Sequence, residues 1–190
     1  MDSSSKIDLE KFTDYMKNIP MPEKPPIISD ELKEKIVNST KDEFPKISTL
    51  FEKLELSWLS SHDNRLGVTR FSGDYNEIYR KKRLNLPLGA IKIKLHPVLI
   101  DDEKLFNHTL VHEILHASGM FEHSEIHDDL TNEIAPAPSL SESIVLRYLQ
   151  AIMISTTNVL SWECISCNHI WTRNTFIKPK ICPKCSLLLN

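Results

Sequence analysis

The run His112-Glu113-Ile114-Leu115-His116 constrains this 190-residue chain more than any other segment. It reads HExxH. Residues four apart share one face of a helix, so His112 and His116 are set to grip one metal ion between them. Glu113, one residue on, is set to reach a water on that ion. The chemistry implied is hydrolysis: the metal lowers the pKa of the water and the glutamate takes its proton. A helix doing this must be rigid and buried at its back. Leu110, Val111, Ile114 and Leu115 supply the apolar face. Asp101 and Asp102 offer a cap and the negative charge a helix N-terminus favours. Gly119, three residues past the second histidine, offers a left-handed stop. The pattern predicts one active-site helix from about Asp102 to Ser118.

A catalytic zinc takes three protein ligands and keeps one position open. Beyond His112 and His116 the sequence offers several third ligands. His123 follows the helix-ending glycine and is the preferred one. His127, four further on, shares its face if the stretch is helical. Glu133, in Asn132-Glu133-Ile134-Ala135, resembles the pattern of glutamate-ligand zincins, in which a glutamate on a later helix completes the site. Glu142 reads instead as the capping-box partner of Ser139. His108, four residues before His112, reads as solvated, and His62 and His96 as surface residues. No oxyanion donor stands out; Tyr75 and Tyr79 are the candidates.

A second metal signal lies at the C-terminal end. Cys164-Ile165-Ser166-Cys167 and Cys182-Pro183-Lys184-Cys185 are two CxxC knuckles fourteen residues apart, and they hold all four cysteines of the chain. That spacing predicts a closed, structural four-cysteine zinc site rather than disulfides, and with it a reducing, intracellular compartment, cytoplasmic or at the nucleoid or nucleus. The module is too small to hold a core alone, so metal binding should drive its folding. Trp162, His169, Trp171 and Arg173 suit short ribbon strands. Arg173, Lys178, Lys180 and Lys184 against Glu163 leave the module mildly basic even after four thiolates and a zinc are counted, which suits contact with nucleic acid through phosphates and stacking.

The net charge of −3 makes no general case for nucleic-acid binding, and no apolar run is long enough to predict a membrane span. No signal peptide is read at Met1-Asp2-Ser3-Ser4-Ser5-Lys6. Residues 1–28, with Pro20, Pro22, Pro25 and Pro26, read as a weakly ordered arm with one short helix, Leu9 to Met16. Helices are expected over Glu31–Asn38 behind Asp30, over Asp42–Leu54 with Pro45 in its first turn, and over Leu140–Ile154. Strands are expected at Leu54–Leu59, Gly67–Phe71 and Tyr75–Tyr79. Ala90–Leu95 alternates apolar and lysine residues, the mark of a half-buried strand. It is expected at the sheet edge, where an extended substrate could pair with it. Residues 119–138 read as a loop.

In this order of elements the chain resembles the SprT-like metallopeptidases, relatives of the Spartan proteases, from about Phe44 to the C-terminus. The resemblance rests on Leu56-Ser57-Trp58, Leu66-Gly67-Val68-Thr69-Arg70, Ile91-Lys92-Ile93-Lys94-Leu95, the HExxH run with Ala117, and the C-terminal CxxC pairs. In that family a histidine in a pattern like H-G-x-x-F follows HExxH. His123-Ser124-Glu125-Ile126-His127 aligns with it, with Ser124 for the glycine and His127 for the aromatic residue. The metzincin pattern HExxHxxGxxH also comes close but meets Glu122 at its last position. The resemblance implies an α+β fold: a small zincin-like metallopeptidase domain of antiparallel or mixed sheet plus active-site helix, over 29–158, followed by a four-cysteine zinc ribbon over 159–190. It implies a zinc endopeptidase with one catalytic and one structural Zn2+, acting on proteins or peptides, including those associated with DNA. The alternative is an inactive adaptor that binds nucleic acid or protein through the ribbon, against which the intact Glu113 argues.

Overall fold

The computed structural model describes residues 9–41, 44, 47–84, 86–155, 161–172 and 179–189. It is mixed α+β and divides into two compact units, Asp14–Ser139 and a second that joins Met1–Thr13 to Leu140–Asn190.

The first unit is built on a three-stranded sheet of β1 (Leu54–Trp58), β2 (Gly67–Phe71) and β3 (Ile91–Leu95), in the order β1-β3-β2. β3 runs parallel to β1 and antiparallel to β2. It is therefore the central strand, and the expectation that it forms the edge is overturned: β1 and β2 are the edges. The alternation reads correctly all the same. Ile91, Ile93 and Leu95 are buried while Lys92 is exposed and bonds to Glu55 on the outer face, 2.8 Å away. The register lines Leu54, Leu56, Trp58, Gly67, Thr69 and Phe71 up with the three buried β3 residues on the inner face.

That inner face packs on the helix α5 (Glu103–Ser118). Asp102 caps it by accepting from Leu105 N, and Gly119 ends it at φ +109, where a side chain would be strained. Leu110, Val111, Ile114 and Leu115 are wholly buried, each contributing roughly 1.5–3 kcal/mol of apolar burial. They bury on both sides because α5 lies between the sheet and α6 (Glu125–Ile134). α6 falls in the stretch read as a loop. Its signals were a Ser124 cap, which accepts from His127 N, and a buried stripe of His127, Leu130, Thr131 and Ile134 at helical spacing.

The remaining helices of this unit close the core. α2 (Asp30–Thr40) is capped by Ser29, not Asp30, and lays Leu32, Ile36 and Thr40 inward beside α6. α3 (Ile47–Phe51) is shorter than expected; Asp42 and Pro45 lie outside the described residues. α4 (Tyr75–Arg83) is a helix where a strand was expected. Asp74 caps it, and four basic residues, Arg80 to Arg83, complement the dipole in its last turn. Residues 14–28 are not loose. Tyr15 donates to Asp101, Trp58 Nε1 donates to the Lys24 carbonyl, and Ile19 and Pro26 are buried. The chain boundary between the two units falls within the helix α1 (Leu9–Asn18).

In the second unit, α7 (Ile144–Ser155) begins four residues later than expected. Ser143, itself buried, caps it by accepting from Leu146 N, which corrects the Ser139–Glu142 capping box; Glu142 is exposed ahead of the helix. Two three-residue strands, β4 (Ser161–Glu163) and β5 (Ile170–Thr172), pair antiparallel with Trp162 opposite Trp171. Arg173 and Lys178 lie outside the described residues. No helix among the described residues is long and apolar enough to cross a membrane.

Candidate metal centres

The half-buried stripe of α5 carries His108, His112 and His116, one turn apart. Past His116, Gly119 turns the chain back. His116 Nδ1 donates to the Met120 carbonyl at 2.6 Å, and His123, immediately before the α6 cap, arrives beside the helix. The Nε2 atoms of His112, His116 and His123 then lie 3.1 Å from one another in all three pairs. One tetrahedral ion at about 2.0–2.1 Å from each nitrogen would hold them roughly 3.3 Å apart, so the triangle fits such an ion. The bond to Met120 fixes the His116 proton on Nδ1 and leaves its Nε2 a bare lone pair, as a ligand needs. Burial, and then the neighbouring imidazoles, hold His112 down to about 3; burial likewise lowers His116 and His127. All three are neutral imidazoles at neutral pH.

His127 makes a second trio with His112 and His116, whose ligand atoms lie within 4.8 Å and could also hold an ion. The His123 trio is tighter. His127 is wholly buried and its Nε2 lies 3.3 Å from the His112 carbonyl. A carbonyl only accepts, so that nitrogen carries the proton and has no lone pair to give. The ring then braces the helix turn that presents His112. Glu133 is exposed on α6, nine residues beyond Ser124 and so about 13 Å along the axis. The structure does not bring it to the cluster.

Glu113 is 7% exposed. The Thr69 hydroxyl lies 2.7 Å from its Oε2 and 2.8 Å from its carbonyl, and donates its single proton to one of them. Burial pushes the carboxyl above its ordinary pKa against that hydrogen bond. A Cβ on Gly67 would stand 2.7 Å from Oε1 of Glu113, so this position must be glycine for the carboxylate to sit where it does. Neither Thr69 nor Gly67 was singled out as a site residue by the sequence reading. Their signal is only their place on a strand that the fold lays across α5. Two other histidines are corrected. His108 is not simply solvated: its Nδ1 donates to the Ala135 carbonyl at 2.8 Å, tying α5 to the end of α6. His96 is 1% exposed, accepts from Val98 N through Nδ1 and contacts the Ser61 carbonyl through Nε2.

The histidines and Glu113 open on a cleft of about 730 Å3 walled by β2, the start of α4 and the loop through Phe121. Tyr75 and Tyr79 line it too, their rings 4.4 Å apart.

In the second unit Cys164, Cys167, Cys182 and Cys185 come together with their sulfurs within 4.8 Å. Cys164–Cys185 and Cys167–Cys182 are 3.7 and 3.8 Å apart. A disulfide needs about 2.05 Å, whereas four thiolates about 2.3 Å from one tetrahedral ion stand roughly 3.8 Å apart. The two knuckles repeat one backbone plan. Asn168 N bonds to Cys164 O and Ser186 N to Cys182 O, and Asn168 and Ser186, each four residues past the first cysteine, both adopt positive φ. Both the cysteine cluster and the histidine group are suited to metal ions.

No protein-family model matches the chain, no curated protein matches it, and no solved structure matches it. The functional reading therefore rests on this geometry and on the motifs.

Proposed function

We propose that the chain is a zinc-dependent endopeptidase that hydrolyses peptide bonds with a metal-activated water. The observation that carries this is the 3.1 Å triangle of His112, His116 and His123 nitrogens opening on the same cleft as the Glu113 carboxylate. A zinc held there would supply a water of near-neutral pKa and polarise the scissile carbonyl. Glu113 would take the proton from that water and pass it to the leaving amine. Thr69 and Gly67 keep the carboxylate aimed into the cleft while they wall it from the sheet side.

The edge that receives the substrate is β2. Leu66 O accepts from His96 N and Ser72 N bonds to Ala90 O, so in the antiparallel register the even-numbered residues face β3. The backbone groups of Gly67, Thr69 and Phe71 face the free edge beside the cleft. An extended peptide pairing there would run past Glu113 and be selected for its backbone shape. The resemblance to SprT-like peptidases extends the proposal to DNA-associated proteins, and stimulation of cleavage by added DNA is its check.

Replacing Glu113 with glutamine tests the reading. Zinc content should stay unchanged while peptide cleavage falls by roughly 10²–10⁴-fold. Undiminished cleavage by Glu113→Gln would remove the mechanism. If wild-type protein that carries both zincs cleaves nothing, the adaptor reading takes its place, with the cysteine unit as the binding part.

A further inference from the structure

One wall of the cleft is aromatic, and the reaction derived above makes no use of it. Phe121 meets Phe71 edge-on with centroids 5.4 Å apart and lies 5.0 Å from Tyr79, whose ring is 4.4 Å from Tyr75. Ile78 lies buried behind them. Rings brought together to build a core would be covered. Here Phe71, Tyr79 and Phe121 stay partly open and Tyr75 is 72% exposed, all lining the cleft that holds the histidines and Glu113.

From this we infer that the wall is a specificity subsite, which takes a large apolar or aromatic side chain of the peptide within two residues of the scissile bond. The inference rests on the hydrolytic reading of the histidine centre.

The distances along the strand set the reach. Thr69 touches the Glu113 carboxylate, and Phe71 is two residues further on the same face of β2, roughly 6.8 Å away. A peptide extended along the β2 edge advances by the same amount for every two residues. A residue one or two positions from the bond at Glu113 therefore reaches Phe71 and the rings beyond it. On the other side Phe121 is two residues before His123, so the wall also borders the metal ligands directly. Charge does not select here. Lys82 stands over the Phe121 ring at 5.0 Å, taken up in a cation–π contact, and Glu122 also lines the cleft. The hydrogen bond with Tyr75 pushes the Tyr79 hydroxyl up to about 12, so that hydroxyl stays neutral at physiological pH. What remains is apolar contact and ring stacking, which favours large flat side chains.

The test is cleavage of a randomised peptide pool by the full, zinc-loaded chain, with the new ends identified by mass spectrometry. At one position within two residues of the cut, Phe, Tyr, Trp, Leu and Met should be enriched roughly tenfold or more over Gly and Ala. Tyr75→Ala and Tyr79→Leu should flatten that enrichment with zinc content unchanged. Cleavage without such enrichment, a preference set by charge, or an enrichment that both variants leave intact would overturn the inference and leave the hydrolytic reading standing. Failure to cut any peptide with both zincs bound would sink that reading and the inference with it.

Discussion

The two candidate metal centres are held in opposite ways. His112 and His116 stand on a sixteen-residue helix whose neighbours on both sides are packed core, and His123 follows on the turn that leads into α6. The cysteines stand on turns beside strands of only three residues. Among the described residues from 161 to 189, only Cys164 and Cys182 themselves are buried. A site carried by a core can use its metal for chemistry and leave a coordination position open. A site that is its own core needs the metal to exist, and closes all four positions around it.

That contrast is broken most directly by removing metal. Exhaustive chelation should unfold the 161–189 region completely while leaving the secondary structure of Asp14–Ser139 in place, read residue by residue by amide hydrogen exchange. Loss of protection across α5 and β3 together with the ribbon would show that the histidine centre, too, is built by its metal.

Next in size is Gly67→Ala. The added methyl would meet Glu113 Oε1 and Cγ and the Thr109 methyl at 2.7–2.9 Å. Such overpacking costs roughly 1–3 kcal/mol and displaces the base, so activity should fall about 10²-fold with zinc content kept. A smaller effect is expected from Gly119→Ala. The φ of +109 disfavours a side chain by about 1–2 kcal/mol, and the substitution loosens the turn that brings His123 to the helix. Thermal unfolding should register that loss, and zinc affinity should weaken along with it.

The smallest effect sharpens the account of the scaffold away from the site. His96 is buried neutral, and burial lowers its pKa from the ordinary value of about 6.5. Below about pH 6.5 the unfolded chain takes up a proton there that the folded chain refuses. The stability His96 lends is therefore complete above that pH and is lost as pH falls through the window beneath it. His96→Asn keeps an acceptor for Val98 N without titrating. Its urea midpoint should fall less between about pH 7.5 and 5.5 than that of the unaltered chain; equal falls would contradict the assignment.

What could be read from the sequence followed locality. α5 was legible end to end because its cap, its stop and its metal spacing all sit in one stretch, from Asp102 to Gly119. β3 was legible because alternation is a property of neighbours. Its place in the sheet was not, since pairing order depends on residues far apart, and so β3 is expected at the edge when the fold puts it in the centre between β1 and β2. Tyr75–Tyr79 looked like a strand from its aromatic residues, but the Asp74 cap and the basic last turn decided for helix. α6 was hidden by its polar composition, although Ser124 and the stripe from His127 to Ile134 marked it. At the site, His112, Glu113 and His116 announce themselves by spacing. Thr69 and Gly67 reach Glu113 across forty-four and forty-six residues, which no motif spans.

The histidines should hold one zinc in addition to the one held by the cysteines. Elemental analysis of the purified chain and of His112→Ala/His116→Ala tests this most directly. Two zincs per chain should fall to one, with the cysteine unit still folded. Two zincs in both proteins, or one in both, would contradict it.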